Sequence, residues 1–80
     1  MSPQIAAALM MKTLRIESHI PEEQTLEGNT QGHMVWMLQA LAAGDITGEK
    51  AHRWIGYAQG LAVMLGLGSL EDMKLINKDA

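Results

Sequence analysis

Apolar residues recur at helical spacing in four segments of this chain, separated by polar or glycine-containing stretches. The predicted helices cover residues 3–16, 31–43, 48–65 and 70–77, with an irregular loop at 17–29. Each helix is preceded by a residue whose side-chain oxygen can accept a hydrogen bond from the first turn. These candidate N-caps are Ser2 (followed by Pro3), Asn29 or Thr30, Thr47, and Ser69, which forms a capping box with Asp72. Gly44 and Gly66 predict the ends of the second and third helices.

The residue types favour helices over sheets. The apolar residues are mainly Ala, Leu, Ile and seven Met, whereas Phe is absent and the rings are two Trp and one Tyr. Because β-branched and aromatic residues are scarce, we predict an all-α fold. The short connection Asp45-Ile46 makes the second and third helices an antiparallel hairpin, flanked by a short N-terminal helix and a short C-terminal helix. The length predicts a single small domain, residues 1–80.

The third predicted helix is apolar on two sides. One stripe is predicted to close on the second helix: Ala51, Trp54, Ala58, Leu61 and Leu65, flanked by Ile55 and Ala62. The opposite stripe contains Gly56, Gly60, Val63 and Leu67. A Gly-x-x-x-Gly pair lets another backbone come close. Because a helix on the surface of a monomer normally keeps that side polar, the stripe indicates a second packing partner.

The second predicted helix is also apolar nearly all round. Met34, Leu38, Leu41 and Ala42 form one face, and Trp36, Met37, Ala40 and Ala43 form much of the other. A chain of this size hides only about 60% of its unfolded surface on folding, and a partner subunit would bury more. We therefore predict a homo-oligomer, dimer or higher, with an interface of Trp36, Met37, Ala40, Gly56, Gly60, Val63 and Leu67. The alternative is a monomer whose first and last helices cover these stripes.

Composition excludes several classes of protein. The absence of Cys excludes a disulfide scaffold, a thiolate zinc site and a Cys nucleophile. A net charge of −3 argues against a nucleic-acid binder that follows phosphates. The apolar runs Ala6–Met11 and Leu61–Leu67 are too short to span a membrane. Met1–Met11 lacks the basic residues that begin a signal peptide, so we expect a cytoplasmic protein.

The sequence contains no constellation typical of catalysis or metal binding. His19, His33 and His52 include no pair at the i, i+4 spacing of a helical metal site. The serines and threonines are at caps or in loops, with no strand-to-helix elbow to present a nucleophile. We expect a protein that is not an enzyme and that uses neither a metal nor a cofactor.

One cluster near the start of the third helix could bind a ligand. It combines cations, an indole and a phenol in two helical turns: Lys50, His52, Arg53, Trp54 and Tyr57. With the free N–H groups of a helix start, these groups suit a nucleotide or another small anion with a flat base. In the simpler alternative, Trp54 is core, Lys50 and Arg53 are solvated, and Tyr57 only extends its hydroxyl to water.

The C-terminal fifty or so residues resemble small phage and prophage accessory proteins of unknown role. The resemblance rests on His33, Trp36, Met37 and Leu38 in one helix and Lys50, Arg53, Trp54, Gly56, Gln59 and Gly60 in the next. More loosely, a hairpin with Arg53-Trp54 opening its second helix is similar to the helical sponges by which phages sequester cyclic-nucleotide signals of CBASS immunity. The Thr-x-x-Gln and Gly-x-Met of those sponges are absent after Trp54. The resemblance implies that Arg53 and Trp54 lie near a ligand held between subunits.

Two functions of different classes follow. The first is a phage-type counter-defence protein of an infected or lysogenic bacterium, which binds a nucleotide-derived messenger between its subunits. The second is a protein inhibitor that docks a Met-rich helical face onto a host enzyme, a CRISPR effector or a regulator, because Met side chains adapt to varied surfaces. A structural phage component is a third option, for which the sequence offers no specific sign.

Overall fold

The computed structural model describes residues 1–14 and 31–80, and within these ranges the chain forms four helices and no strand. They are α1 (Pro3–Thr13), α2 (Gln31–Ala42), α3 (Gly48–Met64) and α4 (Leu70–Asp79). The all-α prediction is confirmed. Helix α1 ends at Thr13, with Leu14 as its C-cap, rather than near residue 16. The predicted loop at 17–29 and the candidate caps Asn29 and Thr30 lie outside the described residues.

Two of the predicted N-caps form their hydrogen bonds. The Ile5 backbone N–H donates to Ser2 Oγ at 3.3 Å, and Pro3 occupies the first turn, where no N–H is needed. At α4, the Asp72 N–H donates to Ser69 Oγ at 3.1 Å and the Ser69 N–H donates to Asp72 Oδ2 at 2.8 Å. This is the predicted capping box. Thr47 occupies the N-cap position of α3, but its side chain makes no capping hydrogen bond.

Glycines end two of the helices because the chain must turn there with a positive φ. Gly44 follows α2 with φ of 82°, and Gly66 follows α3 with φ of 75°. Residues with a Cβ rarely adopt this conformation. After Gly66 the Leu67 N–H donates to the Ala62 carbonyl at 2.9 Å, which closes the last turn of α3. The predicted ends of α2 and α3 are therefore correct to within a residue.

The core is formed where α1 packs on α2 and on α3, α2 packs on α3, and α4 packs on α1. Helix α1 contributes Ala6, Ala7 and Met10, and these two buried alanines let it approach its neighbours closely. The remaining core residues are Met34, Leu38, Leu41, Ala51, Ile55, Ala58, Leu61, Ala62, Met73 and Ile76. The prediction that Leu65 belongs to the core stripe of α3 is wrong, since Leu65 is 39% exposed whereas Ile55 is fully buried.

Candidate functional site

Trp54 is part of the contact between α2 and α3. Its ring lies 5.4 Å from the Trp36 ring and is tilted by 41° to it, and the Trp36 ring lies 5.4 Å from that of His33. The Lys50 ammonium lies 5.4 Å from the Trp54 ring centroid, within the range of a cation–π interaction. Trp54 is half-buried and packs against the core. With these neighbours, the indole stabilises the fold and is less available to stack on a ligand.

Three of the predicted site residues are exposed on one side of α3. Successive residues of a helix are about 100° apart, so Lys50, Arg53 and Tyr57 share a side, whereas His52 projects well away from Lys50 and Tyr57. Tyr57 is 49% exposed. Arg53 is exposed and forms no ion pair with any residue of the ranges 1–14 and 31–80. The structure therefore brings Arg53 and Tyr57 together beside Lys50 and does not bring His52 to the same place.

The same side of α3 continues into an apolar surface with glycines at its centre. We call this surface the glycine face; it consists of Gly56, Tyr57, Gly60, Val63 and Met64. Gly56 and Gly60 are exposed, and a Cβ added to either would meet no atom within 4 Å. The side chains that flank them are exposed as well, and Met64 reaches 66%. Within the described part of the chain, nothing packs on the glycines.

Two shallow grooves run along the glycine face, and both include Gly56 and Gly60. One has a volume of about 430 Å³ and is lined also by Tyr57, Leu61 and Met64. The other, of about 350 Å³, lies between α3 and α4 and is lined also by Gln59, Val63, Leu70, Met73, Lys74 and Asn77. Because the two glycines lack side chains, the surface of α3 is indented where a ridge would otherwise separate the grooves.

The residues predicted for the subunit interface differ in how exposed they are. On α3, Gly56, Gly60 and Val63 are exposed, as an interface requires of the separate subunit. The other four offer less surface. Met37 is only 5% exposed, Trp36 and Ala40 are half-buried, and Leu67 is partly buried against the core. Among the described residues, the predicted interface positions that remain exposed are therefore those on α3 rather than those on α2.

Two features of this region were missed by sequence reasoning. Gln59 is buried and exchanges side-chain hydrogen bonds with Asn77 of α4. Large leucines are exposed around the start of α4 and beyond it, at Leu65, Leu70 and Leu75. The amphipathic pattern of α4 could have indicated Leu70 and Leu75, whereas no local signal connects Gln59 to a residue eighteen positions later.

Two features are absent from the described residues, a metal-binding cluster and a helix that could span a membrane. No group of three or more His, Cys, Asp or Glu in residues 1–14 and 31–80 is placed to hold a metal ion. Among the helices of the same ranges, none has the length and apolar character needed to cross a membrane. No protein-family model, no curated protein and no solved structure matches this chain.

Proposed function

We propose that this chain is a non-enzymatic counter-defence protein of the phage type, which assembles with itself and sequesters a nucleotide-derived immune messenger between its subunits. It would act in the cytoplasm of the infected or lysogenic bacterium, with α2 and α3 as its central antiparallel hairpin. The observation that carries the proposal is the position of Arg53, exposed and without an ion pair in the described chain, beside Tyr57 and a groove on the same side of α3.

The chemistry of these groups suits a phosphate-containing ligand with a flat base. A guanidinium can donate two parallel hydrogen bonds to a phosphate, and it remains charged at every physiological pH. Tyr57 offers an aromatic ring at the edge of the groove. The groove, about 430 Å³ in volume, has the size of a small-molecule site, but it is shallow. A second subunit across it would supply the missing wall.

Within the predicted cluster, the structure favours Arg53 and Tyr57 as the ligand-binding residues. Lys50 lies over Trp54, and it contributes a positive potential beside Arg53 rather than a separate contact. Trp54 lies close to both Lys50 and Trp36. His52 lies on another side of α3, so it serves as a matched control from the same helix turn.

Isothermal titration calorimetry with a panel of cyclic dinucleotides and cyclic trinucleotides tests this function. We expect saturable binding to at least one member of the panel. Arg53→Ala should weaken it by about tenfold to a hundredfold, because a hydrogen bond to a charged group is worth about 1.5–3 kcal/mol. His52→Ala should bind as the unmodified protein does. The absence of binding to every member of the panel would contradict the proposal.

The exposed leucines favour a second candidate, a protein inhibitor that docks on a host enzyme, a CRISPR effector or a regulator. Met64, Leu65 and Leu70 are exposed at and beside the α3–α4 connection, and apolar residues exposed close together can form a docking surface. The premise of a Met-rich face is wrong: of the seven methionines, Met10, Met34, Met37 and Met73 are buried. Recovery of one stoichiometric host protein, lost with Leu70→Ser, would favour this candidate.

A further inference from the structure

The side-chain amides of Gln59 and Asn77 retain half of their hydrogen-bonding capacity. A primary amide has two N–H donors and two carbonyl lone pairs, and the two bonds between these residues use one donor and one lone pair of each amide. Neither amide has a further hydrogen bond in the described part of the chain. Gln59 is only 8% exposed. Because buried polar groups are generally hydrogen-bonded, the pair is suited to receive a polar group from a ligand.

The unused groups of the pair are arranged as a donor beside an acceptor. Gln59 Nε2 and Asn77 Oδ1 are 2.6 Å apart, so the second N–H of the former lies next to the second lone pair of the latter. The opposite edge of the pair repeats this arrangement with Asn77 Nδ2 and Gln59 Oε1, which are 3.2 Å apart. A ligand that matches either edge must itself have an acceptor beside a donor.

The surroundings of the pair suit a flat ring. Both amides line the groove of about 350 Å³ between α3 and α4, and this volume is within the range of small-molecule sites. Val63, Leu70 and Met73 line the same groove. The thioether of a methionine makes favourable contacts with the edge of an aromatic ring. Apolar walls around a few convergent polar groups are typical of a site for a small heterocycle.

This groove adjoins the proposed phosphate contact at Arg53. At 100° per residue, Gly56 and Gly60 lie between Arg53 and Gln59 around the axis of α3. The same two glycines line both grooves of this helix. A nucleotide that crosses them would meet no side chain of α3 between a phosphate at Arg53 and a base at the amide pair. In this respect the inference rests on the proposed function, and it makes the ligand of that function more specific.

We infer that the Gln59–Asn77 pair recognises an adenine base of the messenger. The exocyclic amino group of adenine would donate to a carbonyl of the pair, and a ring nitrogen beside it would accept from the neighbouring N–H. Amides of Asn and Gln bind the amino group and ring nitrogen of adenine in this way in protein–DNA complexes. Guanine presents two acceptors at the corresponding edge, so one of them would face a carbonyl of the pair.

Methylation of the adenine amino group tests the inference, because it removes the donor and leaves the phosphates unchanged. Isothermal titration calorimetry compares cyclic di-AMP with an analogue in which both hydrogens of each amino group are replaced by methyl groups. We expect the analogue to bind about tenfold to a hundredfold more weakly, the loss typical of a bidentate contact to a base. The double variant Gln59→Leu/Asn77→Leu leaves no amide unpaired and should bind the two ligands equally.

Nuclear magnetic resonance locates the contact in the unmodified protein, so the test does not depend on the folding of the double variant. The side-chain NH₂ signals of Gln59 and Asn77 should shift when cyclic di-AMP is added. The corresponding signal of Gln39, which is exposed on α2, is the matched control and should not shift.

Three results would overturn the inference: no binding of cyclic di-AMP, equal affinity of the unmodified protein for the two ligands, or unchanged signals of Gln59 and Asn77 at saturation. Each differs from a failure of the proposed function. If the protein still binds a cyclic nucleotide in an Arg53-dependent way, the proposed function stands and only the adenine contact falls. If no cyclic nucleotide binds, both fall.

Discussion

Gln59 of α3 and Asn77 of α4 hold their helices together by two side-chain hydrogen bonds. Gln59 Nε2 donates to Asn77 Oδ1 at 2.6 Å, and Asn77 Nδ2 donates to Gln59 Oε1 at 3.2 Å. Gln59 is the buried polar residue of α3, and the pair satisfies its amide on both sides. A buried amide that loses its partner keeps its desolvation penalty, so the two residues should act as a unit.

Asn77→Ala should therefore lower the free energy of unfolding by about 1–3 kcal/mol, because it leaves the Gln59 amide buried without a partner. Adding Gln59→Leu to Asn77→Ala should recover part of this loss, since the unpaired amide is then removed. Urea denaturation followed by circular dichroism measures the two single variants, Asn77→Ala and Gln59→Leu, and the double variant. A double variant that loses the sum of the two single losses would contradict the coupling.

Gly68, in the connection between α3 and α4, lies close to the end of α1. A Cβ at Gly68 would lie 2.7 Å from Leu14 Cδ2 and 3.0 Å from Met73 Cε. Both are ends of flexible side chains that can move at a modest cost, so Gly68→Ala should destabilise the protein by about 1 kcal/mol. The same substitution in a Leu14→Ala background should cost less, because the closer of the two contacts is removed. Thermal unfolding of the unmodified protein, the two single variants and the double variant tests this coupling. An equal loss of stability on Gly68→Ala in both backgrounds would refute it.

If Arg53 binds a phosphate, the affinity for the cyclic nucleotide should depend on which cationic residue occupies this position. Arg53→Lys keeps the charge but loses the planar pair of donors, so it should bind the cyclic nucleotide more weakly than the unmodified protein and more tightly than Arg53→Ala. Binding should also weaken as salt is raised, because the contact is electrostatic. Titration of the three proteins at two salt concentrations provides the comparison. If Arg53→Lys binds as tightly as the unmodified protein, a positive charge is sufficient and the planar pair of donors is not needed.

Local signals in the sequence were sufficient for the four helices and for several of their ends, although α1 ends at Thr13, before the predicted residue 16. The caps at Ser2 and Ser69 and the stops at Gly44 and Gly66 depend on hydrogen bonds and backbone angles within a few residues, and the structure has all four. The core side of α3 was less well predicted. Leu65 is the C-cap of α3, next to the turn at Gly66, and is exposed, whereas Ile55 lies in the middle of the helix and is fully buried.

In the candidate site too, contacts between helices could not be predicted from the pattern of one helix. His52 was grouped with Arg53 because the two are neighbours in sequence, although a helix sends adjacent residues to different sides. Trp54 was expected to line a pocket, but Trp36 from another helix lies against it. Similarly, the apolar pattern of α2 could not show that Met37 is buried within a single chain. Such contacts come from packing between helices, which the pattern of one helix does not specify.

The glycine face gives the most direct test of the proposed self-assembly, through the double variant Gly56→Ala/Gly60→Ala. In a monomer these substitutions meet open space and should raise the stability by about 1–2 kcal/mol in total, since alanine favours a helix over glycine. In an assembly that packs on this face, they hold a partner backbone away from α3. Sedimentation equilibrium at micromolar concentrations should therefore show a dimer or larger assembly for the unmodified protein and dissociation for the variant. An 8.7 kDa particle for both, with higher thermal stability in the variant, would contradict self-assembly through this face.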